Sequence, residues 1–82
     1  MTAARHLLRL PQVSHMTGEK RSTLYLRVSQ GLFPKPVKIG VRASAWPDDE
    51  VAAINAARIA GKSDAEIRRL VVNLESERKS AR

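Results

Sequence analysis

The spacing of apolar residues along this chain predicts four short helices, with a β-hairpin between the second and the third. The first helix is predicted over Pro11–Thr17, where a proline suits the first turn. The second is predicted from Lys20 or Arg21 to Gln30. A glycine follows each helix, as expected where the backbone turns left-handed at a helix end. The side chains predicted to face the core from these helices are Leu10, Val13, Met16, Leu24 and Val28.

The segment after the second helix carries the signals of a hairpin. Pro34 and Pro36 keep the backbone extended, because proline cannot continue a helix and also restricts the residue before it. Gly40 and Val41 fit a two-residue turn that has glycine at its first position. The apolar positions of the hairpin are Val37 and Ile39, which are expected to share one face, and Trp46, which is expected to cover the core at the far end.

The third helix is predicted to begin near Pro47. Its first turn is acidic at residues 48–50, and carboxylates there complement the positive end of the helix dipole. This placement favours a structural role for the three acids over a catalytic or metal-binding one. The apolar side of the helix is predicted to be Val51, Ile54 and Ile59.

A fourth helix is predicted to open with a capping box formed by Ser63 and Glu66. Beyond about Glu75 the chain is polar and is predicted to fray. The apolar residues at helical spacing are Ile67, Leu70, Val71 and Leu74. Two interpretations of this face stay open: it packs on the domain's own core, or it binds a partner or a second copy.

Composition narrows the class of protein. The 82 residues allow one small domain, and the absence of cysteine excludes disulfides and thiolate metal sites. No apolar run approaches the roughly 18 residues of a membrane span, and no signal-peptide pattern opens the chain, so we expect a cytoplasmic protein. His6 and His15 lack nearby partner ligands. Because no catalytic or phosphate-cradling motif is present either, neither enzyme activity nor a cofactor or metal is expected.

The charge is concentrated in one half of the chain. Residues 1–46 hold eight basic residues against one acid, whereas residues 47–82 hold seven of each, so the first half carries the whole net charge of +7. A one-sided positive field suits a polyanion, because each neutralised phosphate releases condensed counterions. Two short helices followed by a basic hairpin also make a shape that fits DNA, with one helix in the major groove.

A family resemblance rests on these same motifs. The motifs follow one another along the chain in this order: the first helix, Gly18, Arg21-Ser22-Thr23-Leu24-Tyr25, Gly31, the segment from Phe33 to Gly40, Arg42, Trp46 and Glu50-Val51. This order resembles the AlpA family of small phage and prophage DNA-binding regulators, related in fold to excisionases and to the winged-helix heads of MerR-type regulators. The similarity runs from about Leu8 to Ile59. Lys20 departs from the family pattern, which usually has a small capping residue there.

The resemblance implies that the second helix is a recognition helix and that the hairpin is a wing. Carried over by position, it implicates Arg21, Ser22 and Thr23 in the helix, with Lys38 and Arg42 in the wing. Arg21 either reads a base or holds a phosphate, and Ser22 and Thr23 either donate to phosphates or cap the helix. The remaining DNA-binding candidates are Lys20, Tyr25, whose ring could instead pack beside Phe33, Arg27 and Lys35.

The sequence therefore predicts a mainly α winged helix-turn-helix fold with a small hairpin and an extra C-terminal helix. Residues 1–61 are expected to bind double-stranded DNA, and residues 62–82 to pack on that domain or mediate association. The expected function is regulation of the integrase or excision genes of a mobile element, in a cytoplasmic, nucleoid-associated protein. The alternatives are an excisionase that bends DNA and recruits integrase, and a protein-interaction adaptor.

Overall fold

Four helices surround a small antiparallel sheet in the computed structural model, which describes residues 5–80. This is the mainly α, winged-helix type of fold that the sequence predicts, with an added C-terminal helix. In chain order the elements are β1 (Leu7–Leu8), α1 (Leu10–Thr17), α2 (Arg21–Ser29), β2 (Val37–Gly40), β3 (Ala43–Pro47), α3 (Asp48–Ile59) and α4 (Asp64–Ser80).

The sheet has three strands in the order β1-β3-β2, although the sequence predicts only the β2–β3 hairpin. The additional strand β1 pairs Leu7 with Pro47 and Leu8 with Trp46. Two residues are too few to show the alternation that identifies a strand in sequence. The partner of β1 also lies about forty residues away along the chain. Only the folded chain brings the two together.

The hairpin turn differs from the one predicted. Gly40 belongs to β2 and pairs with Ala43, so the turn residues are Val41 and Arg42 rather than Gly40 and Val41. Gly40 is also not among the glycines with positive φ, as the predicted turn would require. The register shifts between Lys38 and Gly40, and Ile39 lies at this irregularity and is exposed. The predicted alternation, which would put Val37 and Ile39 on one face, therefore ends there, because a bulge interrupts the two-residue period.

Trp46 lies at the centre of the core, fully buried as predicted. Its indole N–H donates to the carbonyl of Pro34 at 2.8 Å, so the one polar atom of the ring is satisfied. The rings of Tyr25 and Phe33 lie 6.0 and 6.1 Å from it, centroid to centroid. The other buried apolar residues include Val13, Leu24, Leu32, Val51, Ile54, Ile67 and Val71.

Two residues predicted to be buried are exposed. Ile59 is 87% exposed, because it follows Ile54 by five positions and is therefore rotated about 140° away from the core-facing side of α3. Met16 is 42% exposed. At this point α1 meets α3 through a polar contact, in which the Asn55 amide donates to the Met16 carbonyl at 3.0 Å.

The fourth helix packs on the domain's own core. Ile67 and Val71 are buried, and Leu70 and Leu74 pack against them from partly buried positions. The predicted capping box is present: the Ser63 N–H donates to Glu66 Oε1 at 2.9 Å, and the Glu66 N–H donates to Ser63 Oγ at 3.2 Å. The bond from the Ser63 N–H also lowers the pKa of the Glu66 carboxyl.

The predicted fraying after Glu75 is wrong, because α4 continues to Ser80. Its last turns are tied to the rest of the fold by Glu50, whose carboxylate is only 1% exposed. Arg78 donates to both oxygens of this carboxylate, at 2.8 and 2.5 Å, and also to the Lys35 carbonyl at 2.8 Å. Arg5 also donates to this carboxylate, at 3.1 Å. The hydrogen bonds from Arg78 to Glu50 raise the pKa of the guanidinium.

Replacing Arg78 with alanine is therefore expected to destabilise the fold by about 3 kcal/mol, because among residues 5–80 it leaves Arg5 as the one cation paired with the buried Glu50 carboxylate. Urea unfolding followed by circular dichroism measures this loss. Lys79→Ala is the matched control, since Lys79 is the exposed neighbour on the same turn. Equal stabilities for the two variants would contradict the structural role of Arg78.

Candidate nucleic-acid interface

The start of α1, the first turns of α2 and the hairpin meet around an open cleft of about 410 Å³. Trp46 lies at its base. The polar and aromatic residues that line it include Arg9, Arg21, Tyr25, Arg42 and Ser44. They come from four different elements or connections, so the cleft exists only because the core of the domain brings those elements together.

Three arginines surround the cleft without a compensating acid. Arg9 precedes α1, Arg21 opens α2, and Arg42 lies in the hairpin turn. All three are exposed, and within residues 5–80 none of them forms an ion pair with a carboxylate. An exposed concave surface with three unpaired guanidinium groups is suited to a multiply charged anion.

Sequence reasoning counted Arg9 among the basic residues of the first half but did not select it as a site residue. Arg9 stands at the N-cap of α1, where its own N–H donates to the side chain of Gln12 at 2.9 Å. A basic residue directly before a helix carries no motif of its own. What marks Arg9 as a site residue is that it lines the same cleft as Arg21 and Arg42. Only the folded structure shows this proximity.

Tyr25 connects the core to the cleft. Its ring packs edge-on against Trp46, at an interplanar angle of 61°. The ring contact of Tyr25 is thus with Trp46, whereas the sequence pointed to Phe33, and a contact of Tyr25 with DNA stays a prediction. The Arg21 guanidinium lies over the same Tyr25 ring, 5.6 Å from its centroid. This cation–π contact limits where Arg21 can point.

The first turn of α2 leaves its polar groups available. Lys20 is the N-cap residue, and no side chain caps the helix. The interpretation of Ser22 and Thr23 as caps is therefore wrong, because both lie inside the helix. Ser22 is exposed and Thr23 is half-buried. The exposed Ser22 hydroxyl thus stands beside Arg21 on a turn whose first N–H groups lack side-chain acceptors.

The hairpin carries its cations on the side of the cleft and at the tip. Lys38 of β2 is directly opposite Ser44 of β3, which lines the cleft. Side chains of directly opposed residues lie on the same face of a sheet, so Lys38 is on the cleft side. Arg42 follows in the turn, beside the fully exposed Val41.

The structure does not bring Lys35 or Arg27 to this cleft. Lys35 lies along α4, where its N–H donates to the Glu75 carboxylate at 2.9 Å. Arg27 forms a two-bond ion pair with Glu19, and the hydrogen bond to Glu19 raises its pKa. The contacts of Lys35 with Glu75 and of Arg27 with Glu19 stabilise the fold. Binding of Lys35 and Arg27 to DNA stays a prediction.

The acidic residues at the start of α3 are held by structural contacts. Asp48 accepts a hydrogen bond from the His6 backbone N–H at 3.1 Å, and this bond lowers the pKa of its carboxyl. Asp49 pairs with Arg5 at 3.1 Å. Across residues 5–80, no group of three or more His, Cys, Asp or Glu side chains is arranged to hold a metal ion. No helix in this range is long and apolar enough to cross a bilayer.

Comparison with known proteins agrees with the motif order. Residues 6–58 match the family described as Prophage CP4-57 regulatory protein (AlpA). The chain belongs to the AlpA family. A related protein of Enterobacteria phage P4, named "Uncharacterized protein ORF88", is 46% identical over 55 residues, which cover 67% of this chain. The alignment spans 62% of that relative's length. No solved structure gave a significant match.

The region shared with the AlpA family contains every residue that lines the cleft, whereas α4 begins after the match ends. The cleft therefore lies wholly within the residues that match the family. The fourth helix, which forms an ion pair with Glu50 through Arg78, lies outside the matched residues. Membership places this chain among prophage regulatory proteins, a family of regulators and not of enzymes.

Proposed function

We propose that this AlpA-family protein binds double-stranded DNA sequence-selectively and regulates transcription of the integrase or excision genes of a prophage or mobile element. The observation that carries the proposal is the convergence of Arg9, Arg21 and Arg42 on one cleft. A regulator that acts on DNA works in the cytoplasm, associated with the nucleoid.

In the proposed complex, α2 enters the major groove, which is wide enough to admit a helix. Arg21 at its first position reaches a base edge or a phosphate, and the exposed Ser22 donates to the backbone. Because the Tyr25 ring supports Arg21 from one side, less side-chain freedom is lost on binding than for an unsupported arginine. Lys38 and Arg42 contact the flanking phosphates from the wing.

One such module covers little DNA. The domain extends 32 × 31 × 19 Å, about one helical turn of the duplex in its longest direction. We expect residues 1–61 to form the DNA-binding domain. Because one such domain covers so little DNA, we expect functional affinity to require repeated sites, a second copy or an integrase partner. The inner face of α4 is occupied by the core, so a partner recruited by residues 62–82 has only the outer face of that helix available.

A footprint across the element's integrase locus tests the proposal. We expect protection at discrete sites in a promoter and altered transcription from it. Protected sites clustered at the attachment site, with a large bend and stimulated excision, would instead support the excisionase alternative. Binding to a partner protein without DNA affinity, even at low salt, would support the adaptor and refute DNA binding.

Arg21→Ala is expected to weaken binding to the footprinted site by about 1–3 kcal/mol if Arg21 reads a base. Fluorescence anisotropy with the footprinted duplex and with a scrambled duplex separates loss of specificity from loss of charge. Arg69→Ala is the control, because Arg69 is an exposed arginine on α4, away from the cleft. An unchanged affinity for the footprinted site would rule out a base-reading role.

Removing a wing cation, by Lys38→Ala or Arg42→Ala, is expected to weaken binding to every sequence. The slope of the logarithm of affinity against the logarithm of salt concentration should fall by about one unit, since each phosphate contact releases about one counterion. Lys62→Ala removes an exposed cation between α3 and α4 and serves as the control. A slope that matches the wild-type protein would show that the wing does not contact phosphates.

A further inference from the structure

The tip of the hairpin presents an apolar side chain that the fold does not use. Val41 is 96% exposed, the largest value recorded for any bulky apolar residue between residues 5 and 80. It occupies a turn position, where valine is unusual because turns favour Gly, Asn, Asp, Ser and Pro. A β-branched side chain at this point adds nothing to the core and exposes apolar surface to water.

The surroundings of Val41 are cationic and face the cleft. Arg42 follows it in the turn and lines the cleft together with Arg21. Lys38 lies on the cleft side of β2, a few residues before the tip. The irregularity between Lys38 and Gly40 adds twist to the strand just before the turn. The tip therefore combines one projecting apolar group with cations that attract a phosphate backbone.

This inference rests on the proposed binding of α2 in the major groove. With the first turn of α2 in that groove, a hairpin that shares the cleft with Arg21 reaches the minor groove beside it. That groove is about 6 Å wide, too narrow for a helix but wide enough for a single projecting side chain. Its walls are deoxyribose rings, whose carbon atoms suit the methyl groups of valine, and architectural proteins use apolar side chains there.

We propose that Val41 enters the minor groove that flanks the major-groove site and packs against its sugar walls, while Arg42 and Lys38 contact the phosphates on either side. This contact selects for the flanking sequence. The 2-amino group of guanine projects into the minor groove and obstructs an apolar side chain, whereas A·T pairs place no such group there.

The test uses a fluorescein-labelled duplex that the wild-type protein selects from a random-sequence library. The flanking pairs are made either G·C or inosine·C. Inosine lacks the 2-amino group, so the two duplexes differ in the minor groove and present the same groups in the major groove. We expect the wild-type protein to bind the inosine duplex more tightly, and Val41→Ser to lose this preference and about fivefold in affinity.

The control variant is Val72→Ser, which removes an exposed valine from α4. It should keep both the affinity and the inosine preference. Val41→Ser should unfold at the same temperature as the wild-type protein, because its side chain is outside the core. Val41→Thr keeps the shape of valine, and we expect it to retain less of the preference than the wild-type protein.

Several outcomes would overturn the inference. One is equal binding of the two duplexes by the wild-type protein. Others are a Val41→Ser variant that binds like the wild-type protein, or one that weakens both duplexes equally, since the contact would then lie outside the minor groove. A Val41→Ser variant that only abolishes self-association in sedimentation, with DNA binding intact, would assign the tip to a second copy. If the wild-type protein selects no duplex, the proposed function itself fails.

Discussion

The burial of one indole ring determines how the parts of this domain meet. Trp46 is enclosed between Tyr25 of α2 and Phe33 of the following loop, and its N–H is satisfied by the Pro34 carbonyl. The same residue pairs with Leu8 in the sheet. Strand β1, the second helix and the hairpin therefore all meet at a single residue. In a chain of 82 residues with three aromatics, few other groups are large enough for this role.

The cleft is a consequence of that packing. Tyr25 links the position of Trp46 to that of Arg21, because its ring contacts the indole and also lies under the guanidinium. The hairpin that contains Trp46 also carries Arg42 in its turn. The packed core thus fixes the relative positions of the backbone sites from which the three arginine side chains extend. Such pre-organisation reduces the entropy lost on binding, and is most useful to a small protein with few contacts.

The fourth helix, which lies beyond the residues matched to the family, adds a different kind of stabilisation. Its apolar face extends the core, and Arg78 neutralises the Glu50 carboxylate that the start of α3 buries. Glu50 receives Arg5 from the amino-terminal segment as well. One buried acid therefore joins both ends of the described chain to α3. A buried ion pair is weak support for stability compared with apolar packing, but breaking it is costly, so it favours this one arrangement of the chain.

Local chemistry made most elements predictable from sequence. Helical spacing identified α1 to α4, the Ser63–Glu66 box marked the start of α4, and Trp46 was expected in the core. The one-sided charge and motif order indicated a DNA-binding regulator, and family membership as a prophage regulator is confirmed.

Tertiary structure alone decided the rest. Strand β1 needed a partner forty residues away, the hairpin turn moved by one residue at a bulge, and α4 was prolonged by Glu50. Arg9 joined the cleft, whereas Arg27 and Lys35 lay elsewhere, because spatial proximity between distant residues leaves no local pattern in the sequence.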